Sequence, residues 1–165
     1  MLAFAQEQRS LRDRAAEYLQ RYECSRAAEL YSQLASRSEP RIQDMELAGE
    51  SYFHMRNFEL AESWFARTIQ HKDHNLQHLL RYADMLKANG KYQEAKAQYQ
   101  AYAERSGTPA EVQVQIAGCD SALVWIANPS PFLVQNERGV NTAHSEFSVS
   151  VIGDQAFFAG ESTAG

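Results

Sequence analysis

Ala27, Ala61 and Ala95 stand 34 residues apart, and the same kinds of residue return in the same order around each of them. Three residues earlier come Cys24, Phe58 and Tyr92; four residues later come Tyr31, Phe65 and Tyr99. Upstream, Tyr18, Tyr52 and Leu86 share one position of the period, and the small Ala15, Gly49 and Ala83 precede them by three. A period of this length constrains the fold more than any local propensity does. It is the length of one supersecondary unit, too small to bury its own apolar face, so successive units must stack into an array.

Within each unit the spacing predicts two antiparallel helices, in which small residues allow close backbone approach and aromatic residues fill the space between. Short turns are expected at "RYE", "MRNF" and "ANGKY", with Gly90 as the left-handed residue that ends a helix. The breaker-rich "SEP", "KDHN" and "SGTP" separate one unit from the next. Small, aromatic, Ala and aromatic residues in this order resemble the tetratricopeptide repeat, over roughly residues 8–109 in three units of about 8–41, 42–75 and 76–109. The first-helix Trp of that pattern is absent, with Met45 and Leu79 in its place in units two and three, and Pro occurs only near the ends of units one and three. The expected fold class is all-α: a tetratricopeptide solenoid of three repeats (residues 6–109) plus a capping helix (110–128), with a short β-hairpin-like C-terminal tail.

Thr108, Pro109 and Glu111 form a helix-start signature, with Thr108 as the cap, and Asn128-Pro129 ends the helix that follows. Val112, Ile116, Cys119, Leu123 and Ile126 recur at helical spacing, which predicts an amphipathic helix covering the last apolar face of the array. Val124 and Trp125 are left to pack on whatever follows.

The pattern then changes. "FLVQN" is a short extended run, and "SEFSVSVIGDQAFFAG" alternates Phe147, Val149 and Val151, turns at Gly153-Asp154, and resumes with Ala156-Phe157-Phe158. A two-stranded hairpin is marginal alone, so a partner is expected to complete it.

Sixteen Lys and Arg against 21 Asp and Glu give a net charge of −5, with both signs interspersed, which argues against a nucleic-acid partner. No apolar run approaches the roughly 20 residues of a membrane-spanning helix. Cys24 and Cys119 belong to distant units, where a bridge would be out of reach, and both read as small buried apolar residues. The densest group of chemical side chains is His71, Asp73, His74 and His78. His71, His74 and His78 are weak metal candidates, because the break between units two and three runs through the group. No glycine-rich phosphate loop, nucleophile elbow or Cys-x-x-Cys motif is present, so neither an enzyme nor a cofactor is expected.

The tetratricopeptide resemblance implies a concave groove lined by the first helix of each unit, binding a protein or peptide. Carried over position by position, its lining is Arg9, Arg12, Leu19 and Gln20, then Gln43, Glu46, Glu50, Phe53 and His54, then Gln77, Leu80, Asp84, Lys87 and Ala88. This set is polar and of mixed sign, with Phe53 as its one large apolar anchor. It lacks the Lys and Asn arrangement by which some family members hold a terminal carboxylate.

"NTAHSEFSVSVIGDQAFFAGES" is similar to the opening of a propeller blade. Ser145, Glu146, Phe147 and Ser148 take the places of an S-D-F-S motif, Val149 stands where Pro is usual, and Gly153, Phe158 and Ser162 follow. Repeats, "CDSALVW" and this motif in one chain resemble the periplasmic OmpA-family proteins of Bacteroidetes-type bacteria, relatives of which serve type IX secretion and gliding. That resemblance implies a cell-envelope scaffold, with residues 129–165 as the first strands of a β-propeller continued in a longer parent. Ala3-Phe4-Ala5 before Gln6 fits the A-x-A cleavage site of a signal peptide, which makes residues 1–5 a remnant of an export signal; an ordinary N-terminus is the alternative. The alternative for the whole is a complete small assembly protein that self-associates through residues 132–165.

Overall fold

The computed structural model describes residues 2–131, 146–152 and 155–160, with side chains from Ser10 to Pro131 and at Gln155. The chain divides into two units, Met1–Pro129 and Ser130–Gly165. The first is a succession of helices: α1 (Leu2–Gln20), α2 (Cys24–Ala35), α3 (Ile42–His54), α4 (Phe58–Thr68), α5 (Leu76–Ala88), α6 (Tyr92–Ser106), a 3-10 turn (Pro109–Val112) and α7 (Gln113–Ala127). Each helix packs on the next in chain order, which makes the array an all-α solenoid of three helical hairpins and a seventh helix.

The period seen in the sequence is the period of the core. Ala15 and Tyr31 share one buried cluster with Leu34, Met45, Ala48 and Trp64. Ala83 and Tyr99 share another with Leu79, Leu86, Tyr102, Val112 and Cys119, and Ala61, Phe65 and Met85 lie in a third. At Gly49 the approach is closest, since a Cβ there would meet the edge of the Phe65 ring at 2.9 Å. Only Gly leaves room for that ring, and this outweighs its roughly 1 kcal/mol disadvantage inside a helix.

The turn inside each unit is also periodic. Glu23, Asn57 and Lys91 donate their N–H groups to the carbonyls of Tyr18, Tyr52 and Leu86, five residues back, and each preceding residue is left-handed. This is the Schellman ending of a helix. Gly90 takes the left-handed position in unit three (φ 75°), as expected, but Tyr22 and Arg56 take it in units one and two (φ 58° each). Both carry a Cβ into a region that costs a non-glycine residue about 1–2 kcal/mol.

The start of the last helix departs from its signature. Thr108 does not cap it: its hydroxyl donates to Ser106 Oγ, and the chain first makes the tight turn Pro109–Val112, closed by Glu111 N–H on the Thr108 carbonyl. The Glu111 carboxylate accepts instead from the Tyr102 hydroxyl at 2.6 Å, giving that buried phenol a partner. Val112 and Cys119 are fully buried, but Ile126 is 64% exposed, contrary to its place on the predicted buried face. The reason is length: Asp120 pairs with Lys96, so α7, running against α6, carries Ile126 beyond Tyr92 where α6 begins. Nor is α7 amphipathic, because Val114, Val124 and Trp125 are exposed on its other side. Cys24 is half-buried rather than buried, and both cysteines are free.

In the second unit β1 (Glu146–Ile152) and β2 (Gln155–Gly160) form an antiparallel pair with Ile152 opposite Gln155 and Glu146 opposite Gly160. The register shifts between Phe147 and Ser150, where β1 holds one residue more than β2. The hairpin-like tail expected from the alternation is therefore present. The extended run at 132–136, the turn at Gly153-Asp154, Met1, Ser145 and Ser162 lie outside the described residues.

Tyr22 is 87% exposed, so Tyr22→Gly removes backbone strain and little packing. Unfolding in urea followed by circular dichroism should show a gain of about 0.5 kcal/mol, the relief of strain less the added chain entropy of glycine. Arg56→Gly should gain less, because the Arg56 guanidinium lies 5.9 Å over the Phe58 ring.

Candidate functional site

The first helices of the three units, α1, α3 and α5, form a row, and the residues expected to line the groove lie on it. Their polar side chains are paired across the row. Arg12 on α1 grips Asp44 on α3 through two parallel hydrogen bonds, Nε to Oδ1 at 2.8 Å and Nη2 to Oδ2 at 2.6 Å. Asp44 is 2% exposed and lies in the first turn of α3, where the helix dipole favours a carboxylate. The hydrogen bond to Asp44 raises the Arg12 pKa above its ordinary value. From α3 to α5, Glu50 Oε1 forms an ion pair with Arg81, 3.0 Å from its Nε, and Glu46 lies 3.4 Å from His78 Nε2.

His78 has a structural task. Asn75 caps α5 by accepting from the N–H groups of Gln77 and His78, and His78 Nδ1 accepts from the Asn75 N–H at 3.1 Å. A ring whose Nδ1 accepts carries its proton on Nε2, the nitrogen facing Glu46. The other two histidines are engaged within their turn: His71 Nδ1 accepts from the Asp73 N–H, and His74 Nδ1 is 2.9 Å from the His71 carbonyl. The three rings thus sit in separate local hydrogen bonds, and among the described residues no three His, Cys, Asp or Glu are placed to hold a metal ion.

The remaining candidates fall into two groups. Leu19, Phe53 and Leu80 are half-buried and packed into the core clusters, with Phe53 6.0 Å from the Phe58 ring and 5.6 Å from His54. Phe53 is therefore a core residue with one face showing rather than an anchor projecting from the row. Asp84 accepts from the Tyr99 hydroxyl at 2.6 Å, and Lys87 reaches to 3.1 Å from where a Cβ of Gly118 would stand, over α7. Gln20, Gln43, His54, Gln77 and Ala88 are exposed, and the Arg9 side chain lies outside the described residues. Gln43 also lines an open cleft of about 810 Å³ between the inter-unit loops, with Glu39, Arg41, His71, Lys72 and Asp73.

What the row offers is a pre-ordered polar surface. Its carboxylates, Glu46 and Glu50 on α3 and Asp84 on α5, are already matched by His78, Arg81 and Tyr99. The sequence marks Arg12 and these acids as lining but does not show Asp44 or Arg81 as partners, since Arg12 and Asp44 are 32 residues apart and nothing local signals the pairing.

No family model and no curated protein matches the chain. Solved structures do match it. The first TPR of Spaghetti (RPAP3), bound to the HSP90 peptide SRMEEVD, superposes with a TM-score of 0.61 at 18% identity, covering 72% of this chain and 94% of that one. The second TPR domain of human RPAP3, in complex with the HSP70 peptide SGPTIEEVD, gives 0.59 at 16% identity over 67% and 92%. The Sgt2 TPR domain from Aspergillus fumigatus gives 0.60 at 17% identity over 81% and 92%. The fold is a tetratricopeptide-repeat solenoid, as the 34-residue period predicts.

Two measurements test the polar ties. Asp44→Ala leaves the largely buried Arg12 guanidinium unpaired and should cost about 3 kcal/mol in urea unfolding, whereas Arg12→Met with Asp44→Leu should recover most of that. Burial pushes the Tyr99 phenol far above its ordinary 10.0, with the Asp84 hydrogen bond adding to it; burial likewise raises Tyr31 and Tyr82. Phenols raised in the folded state stabilise it fully below the unfolded pKa and lose that contribution as pH rises beyond it. Stability should therefore fall steeply above pH 10, and Tyr99→Phe should flatten the fall.

Proposed function

We propose that this chain is a non-enzymatic scaffold whose row of first helices holds a segment of a protein partner. The observation that carries the reading is the ordered row itself. Its helices are held in register by Arg12–Asp44, Glu46–His78 and Glu50–Arg81, so a partner docks on a surface that needs no ordering of its own. That two of the structural neighbours are peptide complexes supports a peptide-binding role. The chemistry of the face differs from a carboxylate clamp. Glu46, Glu50 and Asp84 place acids on the row, which disfavours a terminal carboxylate and an acidic segment. The partner we propose is an internal stretch of chain read by the exposed Gln20, Gln43, His54 and Gln77 and the half-buried Lys87, around the partly covered Phe53 and Leu80.

Our reading of the setting is a periplasmic, cell-envelope scaffold related to OmpA-family proteins, with partners drawn from envelope or secretion components and residues 129–165 opening a β-propeller. It rests on the order of repeats, "CDSALVW" and "SEFS", and on Ala3-Phe4-Ala5 as the mark of an export signal. Among the described residues no helix is long and apolar enough to cross a membrane. A second reading is favoured by the two-stranded ribbon. Each of β1 and β2 has one hydrogen-bonding neighbour among the described residues, which leaves an edge for strand addition from another chain.

Photo-cross-linkers placed at His54 and Gln77 should capture the partner in cells, whereas the same group at Glu29 or Gln100, exposed on second helices, should not. Capture confined to Glu29 and Gln100 would move the interface to the outer face. The peptide SRMEEVD should produce no saturable shifts in the amide spectrum of the full chain. Saturable shifts along α1 and α3 would sink the chemistry proposed for the row.

A further inference from the structure

Among the described residues, four of the seven exposed large hydrophobic side chains lie on α7: Val114 (80%), Val124, Trp125 (71%) and Ile126. Apolar side chains gathered on one helix mark an interaction surface, unlike the same number scattered. The repeat register explains why the face is bare. Ala117 follows Ala15, Gly49 and Ala83 at the same 34-residue step, so α7 is the first helix of a fourth unit. In the three complete units that small residue is buried, at Gly49 directly under the aromatic ring of the unit's second helix. Ala117 is exposed, and among the described residues no second helix of this unit follows α7 to cover it.

We propose that this face pairs with the same face of a second copy of the chain, the two α7 helices running antiparallel about a two-fold axis. Val114, Ala117, Ser121 and Val124 follow each other at steps of three, four and three, with Trp125 beside them, which is the seam of a helix pair. The seam reads the same in both directions. About a centre between Cys119 and Asp120, Val114 falls opposite Trp125 of the other copy, Ala117 opposite Ala122, and Gly118 opposite Ser121. The bulky ends interlock while the small middle lets the backbones approach, which is the self-complementarity a two-fold interface requires. Charge does not oppose it. Asp120 is the one charged residue of α7, and Lys96 holds it at 2.5 Å on the side toward α6. Each copy would bury on the order of 500 Å², a total of roughly 1,000 Å², at the lower bound for a specific interface.

The test uses the full chain. Sedimentation equilibrium from micromolar to near-millimolar concentration should show the mass rising from 18.7 kDa toward twice that value. Val114→Glu with Trp125→Glu should weaken the association at least tenfold while leaving the far-ultraviolet circular dichroism unchanged. An independent readout mixes Val114→Cys and Trp125→Cys chains in a Cys24→Ser background. Mild oxidation should give the 114-to-125 cross-linked pair in preference to either homodimer. A monomeric wild type across the range would overturn the proposal and leave the face to a foreign partner or to residues beyond Pro131. Association unchanged by the double substitution would also overturn it, and would move self-association to the strands.

Discussion

The fit of an aromatic ring against a small residue, repeated every 34 positions, is what the helical unit depends on. At Gly49 the Phe65 ring stands where a Cβ would be, and Ala15 with Tyr31 and Ala83 with Tyr99 occupy the same stations in their own clusters. This packing fixes how closely the two helices of a unit approach, and that approach sets the surface offered to the next unit. A stack built so has no centre. Burial is spread along it, and each end needs something to finish it.

Polar side chains do a different job. Packing alone leaves neighbouring first helices free to slide, and the cross-row pairs remove that freedom: Arg12 with Asp44, Glu50 with Arg81, and His78, which caps its own helix and faces Glu46. Because these groups satisfy one another, the row is stiff before any partner arrives. It has also spent much of its hydrogen-bonding capacity, so the recognition we propose falls to a band of amides, one histidine, one lysine and the visible parts of Phe53 and Leu80.

Much of this was legible in the chain itself. The period gave the number of units, the positions of the turns and the residues of the core, because a repeat exposes the same physical demand several times and local noise cancels. The left-handed residue was legible only where it is glycine. Gly90 announces it, whereas Tyr22 and Arg56 are identifiable only by counting back 68 and 34 residues from Gly90, since their own side chains argue against it. Other local signals were outvoted. Glu111 stands where a capping carboxylate should, but Tyr102, nine residues away, brings a buried hydroxyl that needs an acceptor more than the helix needs its cap. Phe53 reads as a groove anchor from its position in the repeat, and the fold shows what its position alone does not, that the ring is half-buried and lies 6.0 Å from Phe58 across the turn.

By itself, then, the sequence determined an all-α repeat with a strand-forming tail, because hydrophobic spacing, small residues and breakers act over a few residues and need no knowledge of distant neighbours. Which carboxylate meets which cation, which ring is core and which is surface, and that the second face of α7 stays bare were decided only in the folded array. Those outcomes depend on residues some 30 positions apart being brought side by side, and on where one helix ends relative to the helix beneath it.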